Sequence, residues 1–221
     1  MTEVSELTVG VLGGTGPQGK GLALRWAMAG QRVILGSRSA ERAEQAASEV
    51  SSLAGAEVTG GDNAVCAASA DVVLVAVPWD GHAELLTSLR EQLAGKIVID
   101  CVNPLGFDKQ GPYALPVAEG SAAQQAFDLL PDARVTAAFH HVSAVHLADL
   151  SVTDMDTDVL VLGEDREAVD IVRALADRIP GVRGIYGGRL RNAHQVEAFT
   201  ANLIAINRRY KTNSGVRITN V

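Results

Sequence analysis

The sequence predicts a doubly wound α/β fold, a mostly parallel sheet with helices on both faces. Short aliphatic runs alternate with amphipathic stretches along most of the chain. Several of these runs are continuously apolar, as strands covered on both faces must be. A glycine cluster lies between the first run and the first amphipathic stretch, where a strand turns sharply into a helix.

Each element follows in order. Leu7 to Leu12 reads as a buried strand, and Pro17 to Gly30 as a helix with Leu22, Ala23, Trp26 and Ala27 on one face and Gly30 as its stop. Arg32 to Leu35 is a second strand. Ala40 to Leu53 is a helix with Ser39 as its N-cap. Asp71 to Val77 and Lys96 to Asp100 are further buried strands, separated by the amphipathic stretch Gly81 to Leu93. Ala122 to Leu130 is helical and Val135 to Phe139 extended.

After about Val145 the composition turns polar, and Asp158 to Gly163 opens a new unit. A helix over Glu164 to Arg178, the strand VRGIYGG and a long helix over Leu190 to Tyr210 complete it. The expected division is a nucleotide-binding domain over 1–145 and a small C-terminal domain over 146–221. The terminal KTNSGVRITNV is expected to lie on a partner surface or to fray.

Composition narrows the function. The chain has 221 residues, 47% hydrophobic and 20% charged, which is ordinary for a soluble globular protein. A net charge of −7 and an aromatic content of 4% disfavour nucleic acid or an anionic membrane as the main partner. An anionic ligand therefore needs a local concentration of positive charge. The two cysteines, Cys66 and Cys101, form no CxxC pair, so reduced buried thiols in a cytoplasmic protein are expected. The segment MTEVSELTVG has no basic run and does not read as a signal peptide. No apolar stretch reaches the ~18 residues of a membrane span.

Gly14, Gly16 and Gly19 spell G-x-G-x-x-G between strand and helix, with Gly13 one place earlier; the tight turn falls on Gly13 or Gly14. Absent side chains let backbone approach a pyrophosphate, and helix N-terminal N–H groups complete its coordination. Thr15 can add a hydroxyl, and Pro17 and Gln18 open the helix beneath the loop. About twenty residues on, where an acid would read the ribose of NAD, the chain offers Ser37 and Arg38, with Arg42 one turn further. A carboxylate repels a 2′-phosphate; a guanidinium meets it with paired charge-assisted bonds. The pattern favours NADP.

Ligands sit beyond the carboxyl ends of parallel strands. Val77, Pro78 and Trp79 follow one such end, where Trp79 either borders the cofactor or packs on the next helix; Asn103 follows another. His140, His141 and His146 lie close in AAFHHVSAVH, but neither HExxH spacing nor a nearby cysteine supports a metal. His140 is expected to face the crevice, with His141 and His146 partly exposed. No Ser-His-Asp order, paired carboxylates or Tyr-x-x-x-Lys stands out, so chemistry carried by two bound redox rings fits best.

LGGTGPQGKGLALRWAMAG, GSRSAERA, VAVPW and AAFHHVSA together resemble the F420:NADP oxidoreductases, over essentially the whole chain and in the manner of actinobacterial members. The resemblance implies a cytoplasmic homodimer that transfers a hydride reversibly between NADPH and coenzyme F420, a 5-deazaflavin. It assigns Gly14, Thr15, Gly16 and Gly19 to the pyrophosphate and Ser37, Arg38 and Arg42 to the 2′-phosphate. It also sets Pro78 and Trp79 along the cofactor cleft, Ala144 near the nicotinamide amide, and His140 and Val142 beside the deazaflavin. His141 and Ser143 replace a Thr and a Pro of archaeal members, and Asn103 to Gly120 and the C-terminal arm also differ. A reductase of a small imine or carbonyl, such as pyrroline carboxylate, and a non-catalytic NADP sensor are the rival readings.

Overall fold

The computed structural model describes residues 3–221. Thr8–Leu12 forms β1, and four of its five residues are buried. Pro17–Met28 forms α1; Pro17 takes the first helical position, where its missing N–H costs nothing. Gly30, at φ 77°, ends the turn that follows. Arg32–Ser37 is β2 and Ala40–Ala54 is α2, whose N-cap Ser39 accepts from the Arg42 amide.

Sequence patterning did not anticipate the next two elements. Val58–Asp62 is β3 and Asn63–Ser69 is α3, capped by the Asp62 carboxylate on Val65 N–H at 2.8 Å. β3 reads VTGGD, too glycine-rich to look like a strand, but it pairs in parallel with β2 from Val33↔Val58 to Ser37↔Asp62. Tertiary pairing here overrides propensity.

Val72–Val75 is β4. The amphipathic stretch that follows divides into a 3₁₀ turn at Trp79–Gly81, α4 (His82–Ser88) and α5 (Arg90–Leu93), with the break at Leu89. Ile97–Asp100 is β5. Leu105–Asp108 (β6) and Gly111–Ala114 (β7) form an antiparallel hairpin apart from the main sheet, unforeseen in the sequence. Ala122–Leu129 is α6, Arg134–Ala137 is β8, and Ala144–Ala148 is the short α7. Thr157–Gly163 (β9), Arg166–Asp177 (α8), Val182–Gly188 (β10) and, after a 3₁₀ turn at Leu190–Asn192, Ala193–Tyr210 (α9) complete the chain.

Eight strands form one sheet in the order β10-β9-β8-β5-β4-β1-β2-β3. All pairs are parallel except β8 with β9. The C-terminal strands thus extend the same sheet that carries the glycine loop. The antiparallel register Ala137↔Leu162 carries the first residues of β9 past the carboxyl end of β8, toward the edge where ligands bind in such sheets.

Two apolar cores lie on the sheet's two faces. In the first, Trp26 of α1 is fully buried, meets Phe139 edge-on at 5.3 Å and donates its indole N–H to the Leu175 carbonyl of α8 at 2.9 Å. Neighbouring Arg25 is 4% exposed and donates to the carbonyls of His146, Leu147, Asp149 and Val152. Its charge therefore sits at the carbonyl end of α7, where a helix dipole favours a cation. One arginine of α1 thus fixes the loop that leads out of the crevice.

Candidate functional site

The glycine loop connects β1 to α1. Gly13 adopts φ 74°, and a Cβ there would run into the Ala76 carbonyl, so the turn belongs to Gly13 rather than Gly14. Gly14 N–H binds the Gly36 carbonyl at 3.0 Å, which ties the loop to β2. The first intrahelical bond of α1 runs from Lys20 N–H to Gly16 O at 2.9 Å. The Gln18 and Gly19 amides precede it and point toward the space above the loop, as first-turn N–H groups must. A Cβ on Gly19 would lie 3.0 Å from both the Gly13 carbonyl and Val11 Cγ1, so glycine keeps this approach open. With positive dipole ends and exposed amides, the loop fits a pyrophosphate.

Beside it, Ser37 ends β2 and is buried, whereas Arg38 and Arg42 project into solvent. Among the described residues neither arginine forms an ion pair with a carboxylate. Ser37, Arg38, Asp62 and Asn63 line a cleft of about 500 Å³ whose far wall is Glu84 and Leu85 of α4. Two uncommitted guanidiniums at the end of the second strand suit a phosphoryl group added to a ribose. Asp62 Oδ1 caps α3, and among the described residues Asp62 forms no ion pair with either arginine.

A second cleft, of about 470 Å³, lies along the carboxyl ends of β4, β5 and β8. Val77, Pro78 and Trp79 form one wall; His140, Val142 and Ala144 form another, and Gln18 reaches in from the glycine loop. The structure thus brings together residues that are more than a hundred positions apart in sequence. Trp79 lines the cleft and also packs on the next helix, its ring 5.4 Å from that of His82 in α4. Gln18 Nε2 donates to the Phe139 carbonyl at 3.2 Å, linking the two sites. Phe139 itself is a buried non-glycine residue at φ 67°; such a residue stores strain, and here it turns the chain so that His140 enters the cleft.

His140 is 5% exposed and neither ring nitrogen has a protein partner. Burial, followed by the neighbouring His141, pushes its pKa down to about 3, so it is a neutral imidazole with a free donor and a free acceptor. His141 departs from expectation: it is buried, not partly exposed. Its Nε2–H donates to the Val196 carbonyl at 2.6 Å and its ring meets Phe199 edge-on. That bond places a proton on Nε2, while burial lowers the pKa of the ring and favours its neutral form. His146 is half-buried. Among the described residues no three His, Cys, Asp or Glu side chains gather to hold a metal ion. Both cysteines are buried; burial raises the Cys66 thiol to about 12 and raises Cys101 further, so neither is a thiolate nucleophile.

Beneath the cleft lies an ionic cluster that sequence reading did not find. His82 and Asp100 are both fully buried and joined at 2.6 Å through Nε2 and Oδ2. His82 Nδ1 lies 2.9 Å from Gln125 Oε1, and the Gln125 amide nitrogen donates onward to Glu119. Both imidazole nitrogens therefore act as donors, which makes the ring cationic. Burial opposes that charge, but Asp100 and the two hydrogen bonds outweigh it and raise the pKa. Glu197 of α9 lies nearby, accepts the amides of Ala122 and Ala123 at the start of α6, and is raised by burial to about 7. His82 follows the Val77–Trp79 wall, Asp100 precedes Asn103, and Glu197 lies one turn before Thr200. The cluster thus fixes three walls of the cleft relative to one another.

Thr200, Leu203, Ile204 and Asn207 of α9 line the cleft at helical spacing i, i+3, i+4, i+7, and were not singled out in the sequence. Thr200 Oγ1 bonds Asn103 Oδ1 at 3.1 Å and the His140 carbonyl at 3.3 Å. A polar residue at each end of an otherwise apolar helical stripe was the available signal. No Lys, Arg, Asp or Glu is among the residues lining this cleft. It suits a flat, uncharged heterocycle laid against a second one.

Comparison with known proteins adds a family. A family model described as NADP oxidoreductase, coenzyme F420-dependent, matches residues 8–104. An F420-dependent NADP reductase of Methanothermobacter thermautotrophicus is 42% identical over 229 residues, covering 100% of this chain and 98% of that protein. Another from Methanocaldococcus jannaschii is 38% identical, covering 97% and 99%. A crystallised protein of Arthrobacter sp. FB24, provisionally named an F420-dependent NADP reductase, superposes with a TM-score of 0.83 at 26% identity over 97% of this chain and 100% of its own.

Proposed function

This chain belongs to the coenzyme F420-dependent NADP oxidoreductases, and from that premise we propose which of its residues hold each reactant. The enzyme transfers a hydride between NADPH and F420. The nicotinamide and deazaflavin rings supply the redox chemistry: NADPH, a proton and the oxidised deazaflavin give NADP⁺ and the reduced deazaflavin. The family sets aside the imine reductase and the sensor.

The protein's part is binding and alignment. Gly13, Gly14, Thr15, Gly16 and Gly19 receive the pyrophosphate, with Pro17 and Gln18 opening the helix whose amides face it. Ser37, Arg38 and Arg42 receive the 2′-phosphate. Val77, Pro78, Trp79 and Ala144 border the ribose and nicotinamide, and His140 and Val142 flank the deazaflavin. Neutral His140 has both a donor and an acceptor to offer the acceptor ring without placing charge beside it. The observation that carries this reading is the continuity of the sites: a basic-rimmed cleft at β2, the glycine loop at β1, then an uncharged cleft at β4, β5 and β8. Such a path matches a dinucleotide ending against a second ring. Residues 1–145 then serve NADP, and 146–221 close the acceptor side.

We further assign a homodimer. Tyr113 of β7 and Phe199 of α9 are 46% and 41% exposed and border a groove with Ala198, Ala201 and Ala205. Such an aromatic and small-residue face suits close helix contact with a second copy. A cytoplasmic setting suits the two unpaired thiols, and the net negative charge suits a protein with no nucleic-acid partner. No helix is long and apolar enough to cross a membrane among the described residues.

Mixing the purified protein with NADPH and oxidised F420 tests the assignment. The deazaflavin's visible absorbance is expected to bleach in step with NADPH consumption, and NADH is expected to support far slower bleaching. NADPH oxidation by an imine but not by F420 would overturn it.

A further inference from the structure

We propose that the C-terminal arm is a fixed wall of the acceptor end of the cleft, and that Asn213 and Ser214 bind the acceptor's hydroxylated side chain. The inference rests on the functional reading above and extends it to residues without an assigned role. The sequence left this arm either on a partner or frayed; instead it packs on its own chain.

Lys211 ends α9 in the left-handed conformation at φ 52° and turns the chain back. Ser214 then donates both its amide and its hydroxyl to Asn207 Oδ1, each at 2.7 Å. Asp158 N–H donates to the Val216 carbonyl at 2.7 Å, and Val216 N–H donates to Thr157 Oγ1 at 3.2 Å. The Asp158 carboxylate, fully buried, closes the clasp. It accepts from Arg183 Nε and Nη2 at 2.7 Å each, from Arg217 Nη1 at 2.7 Å, and from Ile218 N–H at 2.6 Å. The Arg183 hydrogen bonds foremost hold this carboxyl far below its ordinary range, so the clasp stays charged at any working pH. Arg183 also donates to the carbonyls of Ile218 and Val221. An arm tied by so many charge-assisted bonds is a wall rather than a tail.

Its position selects the ligand. The clasp sits at the start of β9, five strands from β2 in the sheet order. At the usual spacing of neighbouring strands that is about 24 Å from Arg38. The adenosine end of a dinucleotide held at β2 is thus remote from it, and what reaches the arm is the partner of the nicotinamide. The chemistry agrees. Asn207, Asn213, Ser214 and Thr200 offer neutral amides and hydroxyls in a cleft without a charged lining residue. Such groups both donate and accept without carrying charge, which matches the hydrogen-bonding needs of hydroxyls. Asn207 Oδ1 is engaged by Ser214, which leaves its amide N–H₂ to donate into the cleft.

The test is steady-state kinetics on the full chain. Asn213→Ala and the pair Asn213→Ala/Ser214→Ala are expected to raise the F420 KM about 3- to 20-fold, the range for one or two lost neutral hydrogen bonds. The NADPH KM is expected to stay within twofold, and the F420 KM to rise by more than kcat falls. Arg217→Ala, which loosens the clasp without touching the cleft, should move the F420 KM the same way and speed hydrogen exchange at the Asp158 and Val216 amides. Thr219→Ala, at an exposed position whose side chain makes none of these bonds, should change neither KM. An active wild type whose Asn213→Ala variant keeps its F420 KM would overturn the arm's role alone, as would equal rises in both KM values. A wild type that neither binds nor reduces F420 would overturn the functional reading and the arm's role with it.

Discussion

Replacing Arg38 with Ala removes a guanidinium from the rim of the cleft at the end of β2. A unit charge and a doubly charged phosphate about 4 Å apart interact by about 2 kcal/mol in bulk water and by several times that at the effective dielectric of a protein surface. Arg38 is exposed, so the low end of that range applies, and salt reduces it further. Adding the lost charge-assisted hydrogen bonds gives about 2–4 kcal/mol. NADPH binding should therefore weaken by roughly 30- to 900-fold. NADH, with no 2′-phosphate, should weaken less than about threefold. Fluorescence titration of both nucleotides on wild type and variant measures this directly. A rise in sodium chloride should narrow the NADPH difference. Equal losses for NADPH and NADH would refute the reasoning, because the side chain would then be supporting the loop rather than reading the phosphate.

Other perturbations reach other parts of the site. His140 is neutral when folded, with a pKa of about 3, and regains an ordinary value when unfolded; its depressed pKa therefore costs stability progressively as pH falls below about 6.5. His140→Leu should remove that cost, gaining about 2 kcal/mol on wild type at pH 5 relative to pH 7 in urea melts, while raising the F420 KM modestly; identical pH dependence would show that the ring is not buried and neutral. Asp100→Asn leaves a buried imidazolium without its counter-charge, and a loss of about 3–5 kcal/mol is expected by denaturation. Because the folded pKa of His82 is raised, the stability this pair supplies is present at low pH and fades as pH rises through that folded value; the variant should flatten this fall. Gly13→Ala forces a side chain onto the Ala76 carbonyl at a positive φ, so loss of NADPH binding with F420 still bound is expected by titration.

Much of the architecture was legible because apolar periodicity and glycine chemistry are local. β1, the glycine loop and α1 followed from Val9 to Ala27 alone, and the Ser39 cap from its place before an alternating run. β3 was not legible, since VTGGD gains its strand character only by pairing with β2. Nor was the break at Leu89, which lies within a continuous amphipathic pattern. At the site, Arg38 and His140 stood out because each breaks a pattern. Thr200 and Asn213 did not: their place beside His140 depends on how α9 crosses the sheet and on the Asp158 clasp, both long-range. His141 misled for the same reason, because its partner is the carbonyl of Val196, 55 positions away.

The central claim is that the nicotinamide and the deazaflavin meet face to face between Trp79 and His140, with no protein group or solvent proton between them. Mass spectrometry of the reduced F420 formed from NADPH deuterated at one face of its C4 tests it. With the label on one face, essentially all of the deuterium should appear in the deazaflavin, and with the label on the other face, essentially none. Deuterium lost to water from both labels would mean that the two rings never touch.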